Sequence, residues 1–234
     1  MNKDLLLGEF RNDARKRDEI RDIDIQLNTI SGASGSALFS QGETKALAWV
    51  NGPKEGKGKA DLKGQLRCTF SMATFSTMSR GKENKRDIKM RAFSKTLKDI
   101  YEQFILLDLY ARSEIELNVM ILQDSGSFKG AAINAATLAL INAGIMLKDT
   151  VVGVCMGLCD DLTFADLTRS EEKSNMVLLN CAYLPHFNKF AHMEILNSKT
   201  NMEQSNILIK TSEKAALEVF KIIENYLKFK YINS

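Results

Sequence analysis

The sequence predicts an α+β fold on three patterns: strands crowded into the first third, two helical stretches set among strands, and a long closing helix. The same order fits a two-layer α/β sandwich in which helices cover one face of mixed sheets. At 234 residues there is room for one large or two small domains and a proper core. No clean linker interrupts the chain, so residues 1–234 read as a single domain with two sub-halves.

The first strand is "DIDIQLNTI", where Ile23, Ile25 and Leu27 alternate with polar neighbours. "GASGS" signals a turn, and "SALFSQGETKALAWVNGP" reads as a hairpin turning at Gln41-Gly42-Glu43 and ending at Gly52-Pro53. The basic, glycine-rich "KEGKGKADLKG" has no periodicity and is expected to be a mobile surface loop. Leu66, Cys68 and Phe70 then mark a strand in "QLRCTFS".

A second basic loop, "SRGKENKRD", precedes a helix whose stripe is Phe93, Leu97, Ile100, Phe104 and Leu107. "EIELNVMIL" alternates as a strand, with Ile115, Leu117, Val119 and Ile121 on one side. The turn "QDSGSFKG" leads into a helix that is apolar all round, from Ala131 to Leu140, which should lie buried and stop at Gly144. "TVVGVCMGL", "MVLLNCAYL" and "HFNKFAHMEIL" read as strands. The last helix carries an apolar face of Leu208, Ala215, Val219, Ile222, Ile223 and Tyr226, with Lys228 and Lys230 matching the dipole at its end.

Composition is that of a globular chain, 44% hydrophobic and 26% charged, with two prolines. A net charge of +3 does not argue for nucleic acid, so any basic site must be local. No apolar run reaches the roughly 18 residues that span a bilayer. The charged start lacks the apolar core of a signal peptide, so neither membrane nor secretion is expected. Four cysteines (Cys68, Cys155, Cys159, Cys181) lie in apolar segments, and the two histidines, His186 and His192, complete no ligand set with them. Buried reduced thiols are expected, with no metal and no cofactor.

There is no P-loop, nucleophile elbow, zinc-protease helix or dinucleotide fingerprint. Two basic groups remain: Lys54, Lys57, Lys59 and Lys63, then Arg80, Lys82, Lys85 and Arg86. Most charge runs are solvated surface. Lys85 and Arg86 stand out because they enter a helix, where positive charge opposes the dipole by about a few tenths of a kcal/mol, a cost that a bound phosphate reverses. The acids Asp160, Asp161, Asp166, Glu171 and Glu172 could serve a metal or a proton transfer, but nothing fixes a pair at a useful separation. They read as solvated surface. The helix start at 126–130 could hold an anion through its backbone amides. It offers Phe128 where a hydroxyl would serve and a single Lys129 where a guanidinium fork would grip better.

Several of these stretches together resemble the ribonuclease PH-like family. "GSALFSQGETKALAWVNGP" resembles its early hairpin, "AAINAATLALINAGIML" its buried helix, and "DLTRSEE" its D-L-x-x-x-E-[DE] segment. "CTFSMATFSTMSR", with Arg11, Asp13 and Arg15 in "FRNDARKRDEIRDI", resembles one ring subunit of the RNA exosome, although Ala14 replaces a glycine. The likeness runs from about Phe10 to the final helix. It implies the fold of the second domain of ribosomal protein S5, mixed sheets with helices packed between and beside them.

Phosphorolytic members of the family hold phosphate in a G-[ST]-R turn and use two aspartates after the D-L segment. In register, that turn here is Ser127-Phe128-Lys129, one acid position holds Glu172, and the other falls near Asn175. The resemblance therefore implies a catalytically inert ring subunit of a eukaryotic exosome. Its expected partners are other ribonuclease PH-like subunits in a hetero-hexameric ring, RNA-binding cap subunits, a separate hydrolytic nuclease and single-stranded RNA. It places Lys85 and Arg86, and more weakly Arg80 and Lys82, against RNA phosphates in the channel. Nuclear, nucleolar and cytoplasmic work in ribosomal RNA maturation and RNA turnover is expected. The alternatives are an active phosphate-dependent 3′-to-5′ exoribonuclease using Lys129 and Glu172, or a neighbouring ring subunit of the same lineage.

Overall fold

The structure is a computed structural model that describes residues 6–7, 10–56, 63–76, 83–159, 162–174, 176–197 and 201–232. A short antiparallel pair, β1 (Leu6–Leu7) and β2 (Phe10–Arg11), precedes two larger sheets. The first sheet holds β3 (Ile23–Leu27), β4 (Gly35–Gln41), β5 (Thr44–Glu55), β6 (Gln65–Met72) and β7 (Ser113–Gln123), in the order β3-β4-β5-β7-β6. All its neighbours are antiparallel except β6 and β7, which are parallel and joined through helix α1 (Glu83–Phe104). That crossover follows from chemistry, because parallel strands need a long connection where antiparallel ones need only a tight turn.

Helix α2 (Phe128–Asn142) leaves the end of β7 and leads to the second sheet. This sheet contains β8 (Val152–Cys159), β9 (Leu162–Ala165), β10 (Val177–Leu184) and β11 (Lys189–Leu196), ordered β11-β10-β8-β9 and antiparallel throughout. A one-turn helix, α3 (Arg169–Glu172), lies between β9 and β10, and α4 (Met202–Ile232) closes the chain.

The all-round apolar character of α2 has a direct cause. It packs against strands of both sheets, so a helix on one face of a single layer does not describe it. Every residue from Gly130 to Leu140 is buried. Approach to β8 is close enough that a Cβ added at Gly153 would stand 2.6 Å from the Gly130 carbonyl oxygen. A buried polar group on this helix is paired with β8: the Asn134 amide donates to Gly153 O (3.0 Å) and accepts from Gly153 N–H (2.8 Å). The Tyr101 hydroxyl from α1 donates to Ile133 O at 2.7 Å.

Three expectations are corrected. β5 does not end at Gly52-Pro53 but continues to Glu55, through a bulge where its register against β7 shifts between Asn51 and Lys54. A bulge tolerates a proline that has no N–H to give the ladder. The "CDDLTFADLTRSEEKSN" segment is not all solvated loop, since it forms β9 and α3. On α4, Ile222 is 41% exposed while Leu208, Ala215, Val219 and Ile223 are buried. Cys155 and Cys181 are buried, and burial pushes the Cys181 thiol up to about 12. Among the described residues no helix is long and apolar enough to cross a membrane.

Candidate functional site

β7 delivers the chain to the turn before α2, and several backbone groups of that turn are held. Asp124 accepts from Gly126 N–H at 3.1 Å, and Ser125 N–H donates to the Thr44 hydroxyl at 3.2 Å. Thr44 in turn donates to Gly126 O at 2.8 Å. Gly126 has a φ of +106°, and a Cβ there would stand 2.3 Å from Leu167 O, so the position requires glycine. Ser127 follows in the left-handed region (φ 56°), and its hydroxyl donates to Leu167 O at 3.0 Å.

The amide that an anion would seek is already taken. Ser127 N–H donates to Glu172 Oε1 at 2.7 Å. The other oxygen of Glu172 accepts from Arg169 at 3.1 Å, and Arg169 also lies 3.3 Å from Asp124. Burial, with Asp124 close by, holds the Glu172 carboxyl above its ordinary value despite the hydrogen bond from Ser127. Lys129 is equally committed. Its ammonium donates to Glu194 of β11 and stands 5.7 Å from the centre of the Phe93 ring. Burial alone would raise the Glu194 carboxyl, but Lys129 brings it below its usual range.

Phe128 completes the closure on the apolar side. Its ring lies 6.2 Å from Phe70 at 27° and 6.2 Å from Phe93 at 75°, while Phe70 and Phe93 meet edge-on at 4.7 Å. These separations suit favourable aromatic pairs. The helix start is thus filled by an aromatic cluster, an internal carboxylate and a paired lysine.

The loop that bears Glu172 is fixed by a clamp from the N-terminal segment. Arg11 is 1% exposed and donates to Glu171 through both oxygens, to Ala165 O at 2.6 Å and to Asp166 O at 2.9 Å. Arg21 donates to both oxygens of Asp166, at 2.7 and 2.6 Å, and reaches Gly126 O at 3.1 Å. Arg15 pairs with Asp13 and lies 3.5 Å from Asp166. Glu171 also accepts from Thr168 N–H at 2.8 Å, closing a capping box on α3. Burial would raise Glu171, yet the Arg11 hydrogen bond brings its carboxyl below the ordinary value.

The structure therefore corrects the reading of the acids as solvated surface: Asp166 and Glu171 are buried and paired with arginine. Arg21, Thr44 and Glu194 were not singled out from the sequence. One signal was present, because "TRSE" fits the T-x-x-E capping pattern and marks Glu171 as a helix-start residue. Lys85 and Arg86 fall in the first turn of α1. Arg80, Lys82, Asp160, Asp161 and Asn175 lie outside the described residues, as do Lys57 and Lys59. No cluster of three or more His, Cys, Asp or Glu side chains could hold a metal ion among the described residues.

Residues 19–146 match the 3′ exoribonuclease family, domain 1. The chain is 34% identical over 237 residues to exosome complex component Rrp41 of Pyrobaculum calidifontis, covering 97% of this chain and 94% of that one. It is 32% identical to exosome complex component RRP41 of Homo sapiens, covering 94% and 91%. These relatives carry the name of the exosome component that the Arg11 and "ATFST" segments resemble. Among solved structures, rice (Oryza sativa) Rrp46 superposes with a TM-score of 0.81 at 23% identity, over 93% of this chain and all of that one. A chain of the Archaeoglobus fulgidus exosome with RNA bound to the active site gives 0.77 at 19% identity, over 94% of each chain.

Proposed function

The chain belongs to the 3′ exoribonuclease (ribonuclease PH) family, and from that premise we propose that it is a non-catalytic ring subunit of a eukaryotic RNA exosome. It assembles with other ribonuclease PH-like subunits into a hetero-hexameric ring, beneath RNA-binding cap subunits. Single-stranded RNA passes along its basic residues to a separate hydrolytic nuclease. The work is ribosomal RNA maturation and 3′-to-5′ RNA turnover, in nucleus, nucleolus and cytoplasm. Lys85 and Arg86, with Arg80 and Lys82, supply phosphate contacts of the salt-dependent kind.

One observation carries the non-catalytic reading: the seat for an attacking phosphate is filled from within. Ser127 N–H is bonded to Glu172, Lys129 to Glu194, and Phe128 is packed on Phe70 and Phe93. Phosphorolysis needs donors free to meet charge that develops in the transition state, and these donors are already satisfied by carboxylates. Archaeal and mammalian relatives are about equally similar to this chain, so overall likeness does not decide the matter.

A second reading, an active phosphate-dependent exoribonuclease, draws on Glu172. Its raised carboxyl keeps a proton to higher pH, as a general acid requires. Release of nucleoside diphosphates from 3′-labelled single-stranded RNA separates the two. It is to be measured with and without inorganic phosphate, on the chain alone and on a reconstituted ring lacking the hydrolytic nuclease. The ring reading expects none in either sample. Phosphate-dependent release that disappears in Glu172→Gln would establish the second reading.

A further inference from the structure

Phe75 is 76% exposed, while Ser76 beside it is 4% exposed. The turn that presents the ring is pinned at three points. Ala73 N–H donates to Ile121 O (2.9 Å), Ser76 N–H to Ala73 O (3.0 Å), and Asp124 N–H to Ser76 O (3.0 Å). A large apolar ring is thus held toward solvent by a fixed backbone, tied to the residue that opens the α2 turn. Such a ring has few degrees of freedom left to lose when it meets a partner.

Its place follows from the packing of α1 on β6. Phe70 lies against Phe93, and Phe70 N–H donates to the Ser94 hydroxyl at 2.8 Å. Earlier on the strand, Cys68 feels the charges of Lys98, Asp99 and Glu102, which come later on the helix. The helix therefore runs back along the strand. From Phe70 to Phe75 the chain advances at most about 17 Å, and from Phe93 back to Arg86 the helix advances about 10 Å, in the same direction. Phe75, the first turn of α1 and Phe128 thus lie toward one end of the molecule. Lys85 and Arg86 are residues of that first turn.

We infer that Phe75 is a stacking platform for a nucleobase of single-stranded RNA, set beside the phosphate contacts of the α1 start; this rests on the RNA-channelling reading above. An aromatic face next to basic side chains is how single strands are bound without sequence preference, because every base has a π-face. Stacking here would orient the strand along the sealed α2 turn without any chemistry there.

The test uses the full chain and twelve-nucleotide oligo(U) and oligo(A), with affinities measured at several salt concentrations. Phe75→Ala should weaken binding of both about 5- to 100-fold and leave the salt slope unchanged. Phe75→Trp should retain affinity, and its fluorescence, read against the single native Trp49, should be quenched by RNA but not by a base-free polyphosphate. Wild-type affinity in Phe75→Ala, or equal quenching by polyphosphate, would overturn the platform. So would loss of ring assembly with RNA affinity kept, which would make Phe75 a protein contact. Should wild type bind no RNA and reversal of Lys85 and Arg86 change nothing, the channelling reading itself fails. A loss of the platform alone leaves the salt-dependent binding of Lys85 and Arg86 in place.

Discussion

Glu171 and Glu172 are consecutive residues on one short helix, yet they do opposite things. Glu171 is 3% exposed, gripped by Arg11 and drawn below its ordinary carboxyl value. Glu172 faces Ser127 N–H and Asp124 and is held above it. One carboxylate was bought out of water with a matched guanidinium and anchors the N-terminal segment to the second sheet. Its neighbour occupies an amide that could otherwise receive an outside anion. Removing a buried ionic partner strands a charge, whereas removing a capping carboxylate only vacates a seat.

That contrast predicts unequal penalties. Arg11→Ala should cost about 3–5 kcal/mol in urea unfolding, because Glu171 is left buried and unpaired. Replacing Arg11 and Glu171 together by well-packed apolar residues should recover much of it. The pH dependence has a definite sign. Glu171 is depressed in the folded chain, so its contribution is complete above the unfolded glutamate value of about 4.3 and is lost as pH falls through the lower folded value. Acid unfolding of the Arg11 and Glu171 double replacement should be correspondingly less steep.

The next effect concerns where phosphate contact resides. Reversing Lys85 and Arg86 to glutamate should weaken single-stranded RNA binding about tenfold or more and flatten the salt slope by about 1.4, at roughly 0.7 per lost contact. Lys129→Ala should change neither, since its ammonium is committed to Glu194. A smaller loss, about 1–2 kcal/mol, is expected for Thr44→Val, which leaves Gly126 O without one donor and Ser125 N–H without its acceptor. Smallest is Glu172→Gln. It keeps an acceptor for Ser127 and removes a charge beside Asp124, so thermal unfolding should move by no more than about 0.5 kcal/mol in equivalent stability.

Much of the fold was legible because it is written in period. Alternation in β3 and β7 and the continuous apolar run of α2 each state which faces are buried. β9 was not legible, and α3 only through its T-x-x-E cap, since four residues carry no period to read. The closure of the α2 turn was legible by half. Phe128 and Lys129 were visibly wrong for gripping phosphate, but their partners lie far off in sequence. Glu172 is 45 residues from Ser127, and Glu194 is 65 from Lys129. The same holds for Arg11 and Glu171, 160 residues apart. Only the fold brings such pairs together, and one sequence shows neither partner choosing the other.

The central claim is that the Ser127 amide is already occupied by the chain's own carboxylate. Titrating inorganic phosphate into isotope-labelled protein while following the Ser127 and Phe128 amide resonances tests it most directly, with Glu172→Ala as the opened comparison. An occupied seat predicts no saturable shift in the wild-type chain and a saturable one in Glu172→Ala. Saturable movement of the wild-type Ser127 amide at millimolar phosphate would contradict it, and would return the turn to service as a phosphate site.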